Sequence, residues 1–85
     1  MEYTYSGHAE TAQKERRISD ELIESCLEEP DCVERKCYGT IHYCKRFERL
    51  SGRWLRVVVN EYPVPPVIVT VFFDRRLRRV YDDKN

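Results

Sequence analysis

The sequence has no long apolar run, and this absence argues against a helical membrane protein. No segment approaches the roughly 18 consecutive apolar residues that a membrane-spanning helix needs. The first ten residues, MEYTYSGHAE, also lack the basic segment followed by an apolar segment that marks a secretory signal. We therefore expect a cytoplasmic protein that has no membrane partner.

The four cysteines lack the spacing of a zinc-binding knuckle. Intervals of five, four and six residues separate Cys26, Cys32, Cys37 and Cys44, so no CxxC pair occurs. Free thiols are the expected state in a reducing compartment, with some of them buried as small apolar side chains. A disulfide and a metal site are the less favoured alternatives. We therefore predict no metal site and no cofactor.

The chain also lacks a net charge, since 15 basic residues balance 15 acidic ones. This balance argues against a general nucleic-acid-binding surface. The two halves differ, however: residues 1–42 contain ten acids and five bases, and residues 43–85 contain ten bases and five acids. Two interpretations stay open. One is a basic face that binds phosphates, backed by an acidic face; the other is ordinary solvation of a Glu-rich helical half and an Arg-rich strand half.

Length and capping signals predict the domain organisation and the first two helices. Eighty-five residues are enough for one hydrophobic core, and we expect a single α+β domain over residues 1–81 with a charged tail at 82–85. Ser6 is placed to cap a helix that runs to about Arg17. Ser19 is placed to cap a second helix with an apolar stripe, and Pro30 ends it.

The hydrophobic period changes after Pro30 from that of a helix to that of a strand. Residues 40–48 and 53–61 alternate between apolar and polar side chains around a hairpin turn at Ser51-Gly52, and residues 67–73 are apolar on both faces. Residues 33–36 form a weaker strand candidate. The pattern predicts two N-terminal helices packed on a three- to four-stranded antiparallel sheet. Residues after 74 are compatible with a helical turn, an edge strand or a disordered end.

Alternation along these strands predicts which side chains share a face of the sheet. The apolar face expected to meet the helices comprises Ile41, Leu55, Val57, Val59, Val69 and Val71. The opposite, open face is expected to carry His42, Arg46, Trp54, Arg56, Thr70 and Asp74. Arginines, an aromatic ring and hydroxyls on an open face can hold a phosphate backbone and stack a base. The alternative is the solvated side of a half-buried sheet.

Several short motifs together resemble a known group of domains. In chain order they are His8-Ala9, Arg16, Ile18-Ser19, Glu29-Pro30-Asp31, Tyr43, 55-LRVVV-59 and 68-IVTVF-72. This order, which covers roughly residues 3–74, resembles a family of small bacterial and archaeal domains of unknown function. That family looks related to the BrnT, MqsR and RelE/ParE toxin ribonucleases. The resemblance implies a RelE-like fold and a metal-independent endoribonuclease of a toxin–antitoxin system.

The resemblance also implies partners and site residues. The partners would be RNA, free or on the ribosome, and a small antitoxin protein. His8 would take the proton from a ribose 2′-hydroxyl, and Arg16 would stabilise the transition state. Arg56 is the further candidate for this electrostatic role, because alternation places it beside Trp54 on the open face. The residues expected to bind RNA are Thr70, which matches the family, Arg17 at the end of the first helix, and His42, Arg46 and Trp54 of the open face. The chain departs from the family pattern at Ala12, where the family often has Arg, and at Arg17, where it has Gly.

Each of these roles has a structural alternative. The start of a helix disfavours the protonated form of His8 and attracts anions, which suits a base or a phosphate contact. The same His8 could instead pack the helix onto the sheet. Arg56 could instead form a cross-strand salt bridge, to Asp74 or Glu48. The alternative function is therefore a non-catalytic module that binds protein or RNA.

Overall fold

A computed structural model describes residues 2–81 of the chain. The elements are β1 (Thr4–Tyr5), α1 (Gly7–Arg16), α2 (Asp20–Glu28), β2 (Cys32–Arg35), β3 (Thr40–Phe47), β4 (Arg53–Asn60), β5 (Val67–Phe73) and α3 (Arg75–Tyr81). The strands form a mixed sheet in the order β1-β5-β4-β3-β2, in which β1 runs parallel to β5 and the other neighbours are antiparallel. The predicted α+β class is confirmed. The predicted tail at 82–85 lies outside the described residues.

The sheet is wider than predicted because β1 joins it at the β5 edge. The Thr4 backbone N–H donates to the Pro66 carbonyl at 2.9 Å, and the Ser6 N–H donates to the Ile68 carbonyl at 3.0 Å. Strand β1 runs parallel to β5, so within residues 2–81 the sheet has five strands and is mixed, rather than having three or four antiparallel strands. Two residues are too few to show any period in the sequence.

Serine caps start the first two helices, as predicted. The Ser6 Oγ accepts a hydrogen bond from the Ala9 N–H at 3.0 Å and donates one to the Val69 carbonyl at 2.9 Å, which ties the start of α1 to β5. The Ser19 Oγ accepts from the Leu22 N–H at 3.2 Å and caps α2. Arg17 follows α1 as its C-cap, with a left-handed φ of 53°. That conformation favours glycine.

The main core lies between these two helices and one face of the sheet. Its buried members are Ala9, Ala12, Ile18, Leu22, Ile23, Cys26, Leu27, Phe47, Leu55, Val57, Val59, Ile68 and Val71. The prediction that Val69 belongs to this face is wrong: Val69 is 37% exposed, and Ile68 is 1% exposed. The cause is a β-bulge, because the β4–β5 register shifts between Val58 and Val59 and reverses the alternation of β5.

Helix α3 covers part of the opposite face of the sheet. Leu77 is the buried residue of α3, and it packs with Trp54 and Cys44 in a second, smaller apolar cluster. The prediction that this face is open is therefore wrong for its central part. None of the helices within residues 2–81 has the length and apolar character that crossing a membrane requires.

The four cysteines are free thiols that differ in their surroundings. Cys26 and Cys44 are buried, Cys32 is half-buried and Cys37 is exposed. Burial raises the pKa of the Cys26 thiol to about 12 and that of Cys44 to about 11. Within residues 2–81, no three side chains of His, Cys, Asp or Glu are grouped so that they could hold a metal ion.

We expect the cysteines to react with a thiol reagent in two classes. Because the thiolate is the reactive form, Cys26 and Cys44 should react at least about 100-fold more slowly than Cys37 in the native protein at pH 8. Mass spectrometry of peptides after timed alkylation checks this order, and replacing Cys37 with Ser should remove the fastest phase. Rapid labelling of Cys26 before the protein unfolds would contradict the assignment.

Candidate nucleic-acid interface

An ion cluster around a buried Arg–Asp pair lies on the face that α3 covers. Arg56 of β4, which is 8% exposed, donates from Nε to the Asp74 Oδ2 at 2.8 Å. Its Nη1 donates to the Glu34 Oε1 at 2.9 Å and lies 2.9 Å from the His42 Nδ1. We call Glu34, His42, Arg56 and Asp74 the Arg56 cluster. All four side chains have partners, and these contacts hold β2, β3, β4 and the start of α3 together.

Strand register brings these residues together from distant parts of the sequence. Glu34 lies opposite His42 in the β2–β3 pair, and Cys44 lies opposite Arg56 in the β3–β4 pair. Because side chains alternate, His42 and Arg56 fall on the same face, one step apart diagonally. Asp74 follows β5 directly, and its N–H donates to the Trp54 carbonyl at 2.8 Å, which directs the Asp74 carboxylate towards Arg56.

Electrostatics fixes the charge states in this cluster. The hydrogen bond from Arg56 lowers the pKa of Glu34. Burial by itself would raise the pKa of Asp74, but hydrogen bonds from Arg76 and Arg56 lower it overall. Burial, and then the Arg56 charge, lower the pKa of His42, so the imidazole is neutral at pH 7 and its Nδ1 accepts from Arg56. The cluster therefore combines two carboxylates, one guanidinium and a neutral imidazole.

These contacts include the ion pair that was the structural alternative for Arg56, and the catalytic role of Arg56 stays a prediction. The alternative salt bridge to Asp74 is present, and Glu48 pairs with Arg46 instead. The predicted proximity of Arg56 and His8 is absent from the structure, because His8 is exposed at the start of α1, which packs on the other face of the sheet. His42 and Arg56 are brought together, as neighbours in one cluster.

An arginine-rich cleft of about 760 Å³ adjoins this cluster. We call it the arginine cleft. Its lining comes from the end of α1, the start of β4, the end of β5 and α3: Arg16, Ser51, Arg53, Trp54, Phe72, Phe73, Asp74, Arg75, Arg78 and Arg79. Five arginines therefore line one concavity in a protein whose net charge is zero. Such a concentration of one sign of charge attracts anions.

Contacts with the sheet hold parts of this lining in place. The Arg53 guanidinium lies 3.7 Å from the centroid of the Phe73 ring, a cation–π contact. The Arg16 Nη1 donates to the Val71 carbonyl at 3.4 Å. Asp74 is the one acidic residue among the described residues of the lining; it is 4% exposed and its carboxylate is engaged by Arg56 and Arg76. The exposed charge of the described lining is therefore positive.

The sequence identified only part of this cleft. Arg16 and Trp54 were expected at the site and do line it. Arg46 lies beside Trp54 across the β3–β4 pair, while Thr70 is half-buried on β5 and Arg17 is exposed at the end of α1. The sequence interpretation missed Arg53, Arg75, Arg78 and Arg79. The available signal was the charged run 74-DRRLRR-79, for which no single structure was predicted.

Comparison with known proteins identifies the family. The sequence model of DUF4258, described as a domain of unknown function, matches residues 5–73. The chain belongs to the DUF4258 family. No curated protein and no solved structure gives a significant match. The DUF4258 match contains β2 to β5 and the Arg56 cluster apart from Asp74. Helix α3, with Arg75, Arg78 and Arg79, follows the matched residues.

Proposed function

We propose that this DUF4258 protein binds single-stranded RNA in the arginine cleft. The observation that carries the proposal is the convergence of five arginines on one concavity whose walls also contain Trp54, Phe72 and Phe73. Guanidinium groups bind phosphates, and aromatic walls favour bases over simple anions. A concave site suits a single strand, which can enter it, better than a rigid duplex. The choice of RNA over DNA follows the resemblance in the sequence.

The endoribonuclease activity predicted from the sequence has less support than RNA binding and stays a prediction. The antitoxin partner and the RelE-like fold also stay predictions. The described lining of the arginine cleft contains no histidine, and its one carboxylate, Asp74, is buried and paired. His8, the predicted base, does not line the cleft. We therefore propose that the cleft binds RNA without cutting it.

A titration of labelled single-stranded RNA, followed by fluorescence anisotropy at several salt concentrations, tests the proposal. The variant Arg75→Ala/Arg79→Ala should weaken binding about tenfold or more. It should also reduce the slope of log affinity against log salt by about 1.4, because each phosphate contact to a single strand contributes about 0.7. Neither arginine is buried, so the melting curve should not change.

The matched control is Lys14→Ala/Arg35→Ala, which also removes two exposed positive charges but lies outside the cleft. If both double variants weaken RNA binding equally, only the overall charge matters, and the assignment of the binding site to the arginine cleft is overturned. No binding by the wild type at low salt would overturn the function. A denaturing gel of the same samples, with and without EDTA, shows whether the RNA is cut. If the wild type produces shorter RNA and His8→Ala does not, the catalytic prediction is restored.

A further inference from the structure

The aromatic ring of Tyr81 lies on the indole of Trp54 in the manner of a stacked base. The two ring centroids are 5.0 Å apart and the planes differ by 28°. Trp54 is 6% exposed and also lines the arginine cleft, whereas Tyr81 is not among the described lining residues, so the indole is what connects the stack to the cleft. Tyr81 itself is 47% exposed.

Among the described residues, Tyr81 is held in this position by the stack and one polar contact. Tyr81 is the last described residue of α3, whose described part buries one side chain, Leu77. Its hydroxyl lies 3.5 Å from the Cys32 Sγ, a weak polar contact. Elements with few buried apolar contacts open most readily. Trp54, by contrast, is fixed within β4, where it pairs with Arg46 in the sheet.

A nucleobase offers Trp54 the same kind of flat π surface that the phenol ring offers. Stacking of a base on an aromatic side chain does not depend on base identity, because every base has such a surface. Arg78 lies one helical turn before Tyr81, on a neighbouring position of the helix surface. A phosphate near Arg78 would therefore bring its own or the adjacent base close to the indole.

We propose that the Trp54 face is a nucleobase subsite, which Tyr81 occupies in the unbound protein and which a base of the bound RNA takes over. This inference rests on the proposed function, because the phosphates must first bind in the arginine cleft. The ligand class is a single-stranded oligonucleotide with at least one unpaired base. The subsite adds base stacking to a cleft that otherwise recognises charge.

The test compares an RNA oligonucleotide with an abasic ribose-phosphate oligomer of equal length. Replacing Tyr81 with Ala removes the competitor, so RNA should bind about fivefold more tightly. The abasic oligomer should bind the wild type and Tyr81→Ala equally. Trp54 is the single tryptophan, so its fluorescence reports stacking directly: RNA should quench it and the abasic oligomer should not.

Two further variants keep the result interpretable. Val80→Ala truncates an exposed neighbour on α3 and should leave both affinities unchanged. Trp54→Phe keeps an aromatic ring and should retain part of the preference for RNA over the abasic oligomer. Tighter binding of both oligomers by Tyr81→Ala would mean general opening of the cleft and would overturn the subsite, as would unchanged RNA affinity. Binding of neither oligomer by the wild type would overturn the proposed function as well.

Discussion

Replacing Arg56 with Ala is expected to lower the free energy of unfolding by about 3 kcal/mol, the lower end of the cost of breaking a buried ion pair. The Asp74 carboxylate is 4% exposed, and without Arg56 it loses the hydrogen bond at 2.8 Å from Nε. Arg76 still donates to Asp74 at 3.2 and 3.3 Å, which limits the loss. Urea unfolding at pH 7, followed by circular dichroism, measures the effect.

The control for Arg56 is an arginine whose ion pair is exposed. Arg35 pairs with Glu61 at 3.1 Å, but its side chain is 71% exposed, so Arg35→Ala should cost less than about 1 kcal/mol. The double variant Arg56→Met/Asp74→Asn should recover most of the loss, because it removes both buried charges together. A cost below 1 kcal/mol for Arg56→Ala would instead indicate a hydrated guanidinium that is available to a ligand.

Local signals in the sequence were enough to predict most elements of the fold. Ser6 and Ser19 start the helices that they were expected to cap, because a capping hydrogen bond involves only residues three positions apart. The strands predicted at 40–48, 53–61 and 67–73 are observed at Thr40–Phe47, Arg53–Asn60 and Val67–Phe73. Their alternation is strong because one face of the sheet is buried against α1 and α2.

The errors arise where distant partners decide the structure. Strand β1 exists through its bonds to β5, and the exchange of Val69 for Ile68 in the core follows from a bulge in the β4–β5 register. Neither has a local signature. Helix α3 carries a single buried apolar residue, Leu77, so its sequence resembles that of a solvated end. Whether such a segment packs on the sheet depends on the side chains that lie on the surface of the sheet.

The candidate site was harder to predict for the same reason. Arg16 and Arg53 are 37 positions apart in the sequence and share the arginine cleft with Arg79 only because α3 folds back over the sheet. Net charge concealed this concentration, since acidic residues elsewhere balance it. Alternation correctly grouped His42 with Arg56, but it could not show that Glu34 and Asp74 would neutralise the guanidinium. The alternation of a strand predicts which side chains share a face of the sheet, but it does not predict which residues those side chains pair with.

Replacing Leu77 with Ala is expected to release α3 and to lower the free energy of unfolding by about 2 kcal/mol. Leu77 is the residue that α3 buries, and it packs with Trp54 and Cys44. Of the described apolar contacts between α3 and Trp54, only the Tyr81 stack would then remain, and release of α3 breaks that stack as well. Trp54 emission should therefore shift to the red in native buffer, and the spread of Arg75, Arg78 and Arg79 away from the cleft should weaken RNA binding.

The control is Val80→Ala, the same kind of truncation on the same helix at a residue that is 48% exposed. It should change stability by no more than about 0.5 kcal/mol and leave the emission maximum in place. The comparison also tests how α3 relates to the DUF4258 match, which ends at residue 73. Unchanged emission in Leu77→Ala would mean that the arginines and the stack hold α3 without its apolar contact. A red shift of Trp54 emission with an unchanged far-ultraviolet circular dichroism spectrum would mean that α3 detaches while the sheet and helices of the matched domain persist. In that case α3 supplies its arginines of the cleft to a domain that folds without it.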